Sequence, residues 1–248
     1  MTKMTTDYDT IAKQYKKSKE LPFRLHVEAY TFFHLLGDIA GKSLLDLACG
    51  EGFYTRQFQL QGAASVVGVD NSEKMIELAR QQEALKPQGI KYIIADVQEL
   101  GVIGSFDLVV AAYLLNYTQT KEQLLLMCQS IYANLKPGGR FVTVNDNNEQ
   151  SPDSFLATEK YGFIKSISEP LAEGTPIKFT FVVDGEEFSF DNYYLSRDTY
   201  EWAFQTAGFK QVRWQKPLLS PDALKEESQE FWQDFLNYPP LIGIECIK

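Results

Sequence analysis

Ser43-Leu44-Leu45-Asp46-Leu47-Ala48-Cys49-Gly50-Glu51-Gly52 is a short apolar run that carries one acid, Asp46, and then breaks into a turn of small residues. Such a run ending in small residues is how a buried parallel strand hands over to a helix. The glycines let the backbone take unusual φ values and let a ligand lie directly against its N–H groups. Twenty residues beyond Gly50 stands Asp70, at the end of a second apolar run, Ser65-Val-Val-Gly-Val-Asp70. An acid at that distance, on the tip of the neighbouring strand, is placed to hold a pair of ribose hydroxyls.

Outward from this stretch the chain alternates between short apolar runs and helical patterns. A helix through Tyr54, Phe58 and Leu60 leads to the strand Val66–Val69. Ser72 then caps a helix whose inner face holds Met75, Ile76 and Ala79. Ile90 to Ala95 reads as a third strand ending at Asp96, and Phe106 to Ala112 as a fourth. A helix from about Thr120 to Leu135 buries Leu124, Leu125, Cys128, Ile131 and Tyr132; Lys136-Pro-Gly-Gly stops it before a fifth strand, Arg140 to Asn145. Near-continuous apolar strands alternating with helices predict a doubly wound α/β fold whose mostly parallel sheet is covered on both faces. Ligands of such sheets bind at the carboxyl ends of the strands, where the strand order reverses.

The flanks read differently. Residues 7 to 19 place Tyr8, Ile11, Ala12 and Tyr15 on one face of an amphipathic helix, and a second helical stretch, Phe23 to Leu36, carries Arg24, His26 and His34. Beyond Asp146 a polar loop, 147–152, precedes two period-two runs joined by Asp184-Gly185, a strong hairpin signal with Phe179, Phe181, Phe188 and Phe190 on one face. A helix capped by Ser196 and closed by Gly208, a strand near 209–215, an acidic helix near 222–235 and a last strand, 241–247, complete the chain. The expected organisation is a single domain over 1–248. Residues 1–38 form an N-terminal helical lid, 39–146 and 196–248 the ligand-binding core, and 147–195 an antiparallel insertion that covers a substrate.

Composition narrows the function classes. The chain has 248 residues, 44% hydrophobic and 13% aromatic, enough for one large α/β domain. Lys and Arg number 24 against 33 acids, and no clustered basic run is present, which disfavours nucleic-acid binding. Cys49, Cys128 and Cys246 lie far apart and are odd in number, which argues against a disulfide framework and against a metal site. The N-terminus lacks an apolar signal region and no apolar run reaches membrane-spanning length, so a cytoplasmic protein with no membrane partner is expected, monomer or homodimer.

Leu44-Leu-Asp-Leu-Ala-Cys-Gly-Glu-Gly52, Val69-Asp-Asn-Ser72, Ala95-Asp-Val97, Phe106-Asp-Leu-Val109 and Leu135-Lys-Pro-Gly-Gly-Arg140, in this order and spacing, resemble the sequential motifs of class I S-adenosylmethionine-dependent methyltransferases, which have a seven-stranded Rossmann-like sheet. The resemblance covers about residues 40 to 146. Ala48 departs from it, standing where the family's first motif usually has its first glycine. The resemblance implies S-adenosylmethionine (SAM) as cofactor and S-adenosylhomocysteine (SAH) as product. It implies that Asp70 takes both ribose hydroxyls, Asp96 the adenine amino group and the Val97 N–H a ring nitrogen, with Asn71 and Met75 on the ring faces. A methyl group at Ala48 is tolerable because the following Gly50 and Gly52 keep the turn open, while Asp46 and the Ala111 carbonyl are candidates for the cofactor's ammonium. Arg24, whose planar fork suits a carboxylate, is the candidate for its other end.

Methyl transfer from a sulfonium is an in-line displacement in which the protein aligns the reactants and excludes water. Residues near the methyl are expected from the N-terminal helices, the turn after the fourth strand and the segment after the fifth: Tyr8, Tyr15, Tyr113, Asn116 and Asn145, with Tyr15 as a lid. A metal-dependent catechol-type enzyme needs acids on both the fourth and fifth strand ends. Asp146 supplies the second, but Ala111-Ala112-Tyr113 supplies none at the first, so no metal is expected. A DNA amino-methyltransferase needs an Asp/Asn-Pro-Pro-aromatic turn after the fourth strand, where this chain has Tyr113-Leu-Leu-Asn-Tyr117. A nicotinamide dehydrogenase needs Gly-x-Gly-x-x-Gly, where this chain has Ala48-Cys-Gly-Glu-Gly-Phe53. The preferred reading is N- or O-methylation of a small-molecule acceptor, with glycine-like amines and heterocyclic nitrogens as loose likenesses. The alternative is a non-catalytic SAM-binding module or partner subunit.

Overall fold

The structure, a computed structural model, describes residues 14–248; Tyr8, Ile11 and Ala12 lie outside this range. Parallel strands β1 (Ser43–Leu47), β2 (Ser65–Asp70), β3 (Lys91–Ile94), β4 (Phe106–Ala112) and β5 (Leu135–Asp146) form the main sheet. Three further strands, β6 (Phe163–Ser166), β7 (Pro176–Val183) and β8 (Glu186–Tyr193), make a separate antiparallel sheet. Finally β9 (Gln211–Gln215) and β10 (Leu241–Ile247) extend the main sheet, β10 running antiparallel to both β5 and β9. The seven-stranded order is β3-β2-β1-β4-β5-β10-β9. The chain leaves β1 towards β3 and returns to β4 on the other side of β1, so the crevice of the order reversal opens above the carboxyl ends of β1 and β4.

Side-chain alternation along these strands divides the core into two layers. Leu44, Leu108 and Val142 face helices α1 (Tyr30–Leu36) and α2 (Phe53–Leu60) through Phe32 and Phe58. Leu45, Val109 and Phe141 face the opposite layer, where α4 (Lys121–Ala133) and α5 (Arg197–Ala207) contribute Cys128, Ile131 and Phe204. Between them in sequence, α3 (Glu73–Leu85) packs Ile76 and Ala79 against Tyr92 of β3. The Tyr92 ring fills the space left by two glycines. A Cβ at Gly52 would stand 2.5 Å from the Tyr92 hydroxyl, and one at Gly68 would stand 2.9 Å from its ring.

Capping follows the sequence signals: Ser72 accepts from the Met75 N–H, Thr120 and Gln123 form a capping box, and Gly208 closes α5 in the left-handed region. Asp184-Gly185 turns the hairpin β7–β8, pairing Phe179 with Phe190 and Phe181 with Phe188, rings stacked at 5.8 and 5.3 Å. This aromatic face joins Phe23 with Trp232 and Phe235 in a second core. Three local features depart from the sequence reading. Residues 152–166, given no element there, hold a 3-10 run, Pro152–Tyr161, and β6. The single acidic helix is two, α6 (Ala223–Glu226) and α7 (Gln229–Asn237), separated by the extended Glu227 and capped anew by Ser228. Ahead of α1, Arg24–Ala29 is wound as a π-helix.

Candidate functional site

Three adjoining cavities open where the order reverses, and Tyr15, in the helical turn 14–18, lines all of them. The first, about 650 Å³, runs along the tips of β1, β2 and β3 from Ala48 and Gly50 past Asp70 and Met75 to Val97. The second, about 390 Å³, lies beneath the hairpin sheet, walled by Phe163, Phe179, Phe181 and Phe190. The third, also about 390 Å³, sits between Asp46, Lys19 and the glycine turn, and shares Ala48, Gly50 and Ala112 with the first. Tyr113 lines the first and second together.

The turn after β1 is held by β2. The Gly50 N–H donates to Asp70 Oδ2 at 2.8 Å and the Ser72 N–H to Asp70 Oδ1 at 2.9 Å, so one carboxylate fixes both strand tips. Gly50 has φ +56° with open space where a Cβ would point, while Ala48 takes φ +54°, a left-handed conformation that suits the glycine it replaces in the family pattern. Gly52 lies off the cavity wall, its lack of a side chain required by Tyr92. Asp46 is 2% exposed and accepts the Thr55 hydroxyl at 2.6 Å. Burial, helped by the nearby Asp70, pushes its carboxyl up to about 7 against the lowering pull of Thr55 and Lys19.

Other expected residues fall elsewhere. Asn71, Met75 and Val97 are on the wall of the first cavity, but Asp96 is not: its carboxylate caps the turn Val97–Glu99 by accepting the Gln98 N–H at 2.8 Å. Ala111 is fully buried within β4, and strand alternation presents Ala112 to the cavity instead. After Tyr113, which ends β4 at φ +63°, the chain enters the 3-10 turn Leu115–Tyr117. Residues three apart eclipse in such a turn, so Leu114 and Tyr117 line the first cavity and Asn116 points away from it. Asn116 instead lines a small pocket of about 210 Å³ with Asp146 and Tyr200, both ends of its amide without a partner among the described residues. Asn145 lines none of these cavities and donates to the Tyr200 hydroxyl at 3.1 Å. The spacing of Leu114 and Tyr117 was the available signal for the missed tyrosine.

Arg24 lines the second cavity, not the first. Its guanidinium donates to Glu28 at 2.6 Å, and Glu28, fully buried, also accepts the hydroxyls of Tyr54 at 2.8 Å and Tyr113 at 2.9 Å. Burial alone would raise the Glu28 carboxyl, but Arg24, Lys19 and the two phenols together hold it below the usual range. Burial and the Glu28 charge push both phenols well above theirs, which leaves Tyr113 an oriented donor with no capacity to take a proton near neutral pH. His26 is engaged by Ser220 and Glu226, each at 2.9 Å, against Trp232, and lines none of the cavities. At the far end of the second cavity Asp146 accepts the Lys165 ammonium at 2.8 Å, a pair buried between the sheets and completed by Gln150. Among the described residues no three His, Cys, Asp or Glu side chains are grouped to hold a metal ion, and no helix is long and apolar enough to cross a membrane.

Residues 44–139, which contain the glycine turn and the tips of β1 to β4, match the family described as a methyltransferase domain. The demethylmenaquinone methyltransferase of Lactococcus lactis subsp. lactis (strain IL1403) is 30% identical over 189 residues, spanning 73% of this chain and 71% of that protein. The chain belongs to the class I S-adenosylmethionine-dependent methyltransferases. The methyltransferase is also similar to the ubiquinone biosynthesis O-methyltransferase of Bordetella avium (strain 197N), 30% identical over 126 residues, a match that spans about half of each chain, 49% of either. Among solved structures, an S-adenosylmethionine-dependent methyltransferase from Mesorhizobium loti superposes with a TM-score of 0.64 over 93% of this chain and 100% of that one, at 20% identity, a likeness of fold. The methyltransferase thus has SAM as its methyl donor, and the space where a Cβ at Gly50 would point is open beside the first cavity.

Proposed function

We propose that this methyltransferase moves the methyl group of SAM, without a metal, to a nitrogen or oxygen of a small-molecule acceptor held beneath the hairpin sheet. The observation that carries this reading is the sharing of Tyr15 and Tyr113 between the first cavity and the second. The adenosyl part belongs in the first cavity, its ribose at Asp70 and its base between Met75 and Val97 beside Asn71. The amino-acid part belongs in the third, with its ammonium at Asp46. Lys19, on the wall of that cavity, suits the cofactor's carboxylate better than Arg24, whose charge is already spent on Glu28. The sulfonium then lies at the junction, and its methyl faces the second cavity past Tyr15 and Tyr113.

At that junction the protein's contribution is alignment and exclusion of water. Residues 14–36 and 147–195 serve as the cover and the acceptor walls, and 39–146 with 196–248 as the cofactor-binding core. The metal-free reading is supported by the residues themselves: Asp146 is committed to Lys165, and β4 ends in Ala111, Ala112 and Tyr113 with no acid. The names of the relatives support a small-molecule acceptor, since both belong to quinone synthesis. A net charge of −9 supports an acceptor other than nucleic acid, and three free thiols among the described residues support a reducing, cytoplasmic setting. Incubation with SAM and a panel of phenols and amines, read as SAH release, tests the proposal. Release that depends on one class of small acceptor is the expected result; release only with nucleic acid or protein, or only with an added metal ion, would overturn it.

A further inference from the structure

The second cavity has a definite chemistry of its own. Its aromatic wall is one face of the hairpin sheet, where Phe163, Phe179 and Phe190 on successive strands stack on one another with 9° and 2° between their planes. Two charged side chains are on its wall, Arg24 and Asp146, and each already has an opposite charge in contact, Glu28 at 2.6 Å and Lys165 at 2.8 Å. Lys19 also approaches Glu28, at 3.8 Å, but from the wall of the third cavity. All four members of the two pairs are at least nine-tenths buried, so neither pair can be loosened by water to meet a charged guest. Two polar atoms of its lining residues lack a hydrogen-bond partner among the described residues: the side-chain amide oxygen of Asn192, a residue 2% exposed, and the Nε–H of the Arg24 guanidinium, whose charge is already paired with Glu28. Buried polar groups are normally satisfied, so an occupant is expected to complete them.

We infer that the acceptor is an uncharged aromatic molecule that bears a hydroxyl or N–H donor for Asn192 and an acceptor atom for Arg24. This deepens the preceding proposal and rests on it for the place of methyl transfer. A carboxylate or a protonated amine in the same slot would be buried without a counter-charge, which sets aside the glycine-like amines suggested by the loose sequence likeness. Naphthol, naphthoate and naphthylmethylammonium share one flat skeleton and differ in charge, and their binding to the full chain is measured by calorimetry with and without saturating SAH. Naphthol is expected to bind about tenfold or more tighter than either ion. Asn192→Leu should weaken naphthol by about tenfold while leaving naphthalene and SAH affinities unchanged, the latter showing that the variant is folded. Tighter binding of naphthoate or of naphthylmethylammonium, equal affinity for all three, or no binding of naphthol overturns the inference. SAH failing to bind would instead overturn the placement of the donor, while the naphthalene comparison in its absence still decides the acceptor class.

Discussion

Asp70 joins two strand tips through the N–H groups of Gly50 and Ser72, and its carboxylate lies on the wall of the first cavity. Replacing it by Ala should weaken SAM binding by about 2 kcal/mol, since ribose hydroxyls would lose their acceptor; unchanged affinity by calorimetry would remove the ribose from this position. Ala48 carries the opposite kind of burden, a left-handed φ of +54° on a residue with a Cβ. Ala48→Gly should therefore stabilise the protein by about 0.5–1 kcal/mol, visible as a higher urea midpoint. With the cofactor's ammonium at Asp46, binding should depend on pH. Its folded carboxyl, near 7, stands above the unfolded value of about 3.9, so the fold favours the neutral acid. That contribution to stability is complete below about pH 4 and is lost as pH rises towards 7. An ammonium partner prefers the ionised acid, so SAM affinity should rise between about pH 6 and 7.5, and Asp46→Asn should flatten the profile.

At the scale of elements, the hairpin sheet is anchored to the main one by Lys165 of β6 and Asp146 at the end of β5. Lys165→Met should destabilise the protein by about 3–5 kcal/mol, because it strands a buried carboxylate, and adding Asp146→Asn should recover a large part of that loss in chemical denaturation. The same pair explains why β6 escapes a reading of the sequence. Phe163-Ile-Lys-Ser has a lysine where strand alternation calls for an inward apolar residue, and only its tertiary partner shows that Lys165 is inside. The inner parallel strands were legible because burial on both faces makes them nearly continuous apolar runs, and the hairpin because Asp184-Gly185 fixes its turn. Arg24 lines the second cavity and not the first because Glu28, four residues on, is its helical partner and holds its guanidinium there. Asn116 and Ala111 were each one step out, since periodicity gives a segment's direction but the phase of a 3-10 turn or strand end depends on the backbone around Tyr113.

For the whole molecule, the proposed donor site draws on the helical turn 14–18 and the tips of β1, β2 and β4 at once, so occupancy should stabilise the protein as a unit. SAH at about a hundred times its Kd should add about 2.7 kcal/mol and raise the melting temperature by roughly 5–10 °C for a chain of this size. A rise confined to the unfolding of one sheet, seen as a split transition, would mean that the two sheets unfold separately. The architecture, the order of its motifs and the methyl donor were all present in the linear pattern. The hairpin side of the second cavity was legible too, through the alternation of Phe179, Phe181 and Phe190; its other wall was not, because Arg24, Asp146 and Phe163 are brought to it from elements that no local spacing links.

Tyr92, seated over Gly52 and Gly68, carries a message about descent. Three positions on the glycine turn and on two neighbouring strands share one volume, so neither glycine can gain a side chain while the phenol stays. A lineage that acquires a methyl group at 68 must first, or simultaneously, trade the phenol at 92 for something slimmer, and positions 52, 68 and 92 should be inherited as a set.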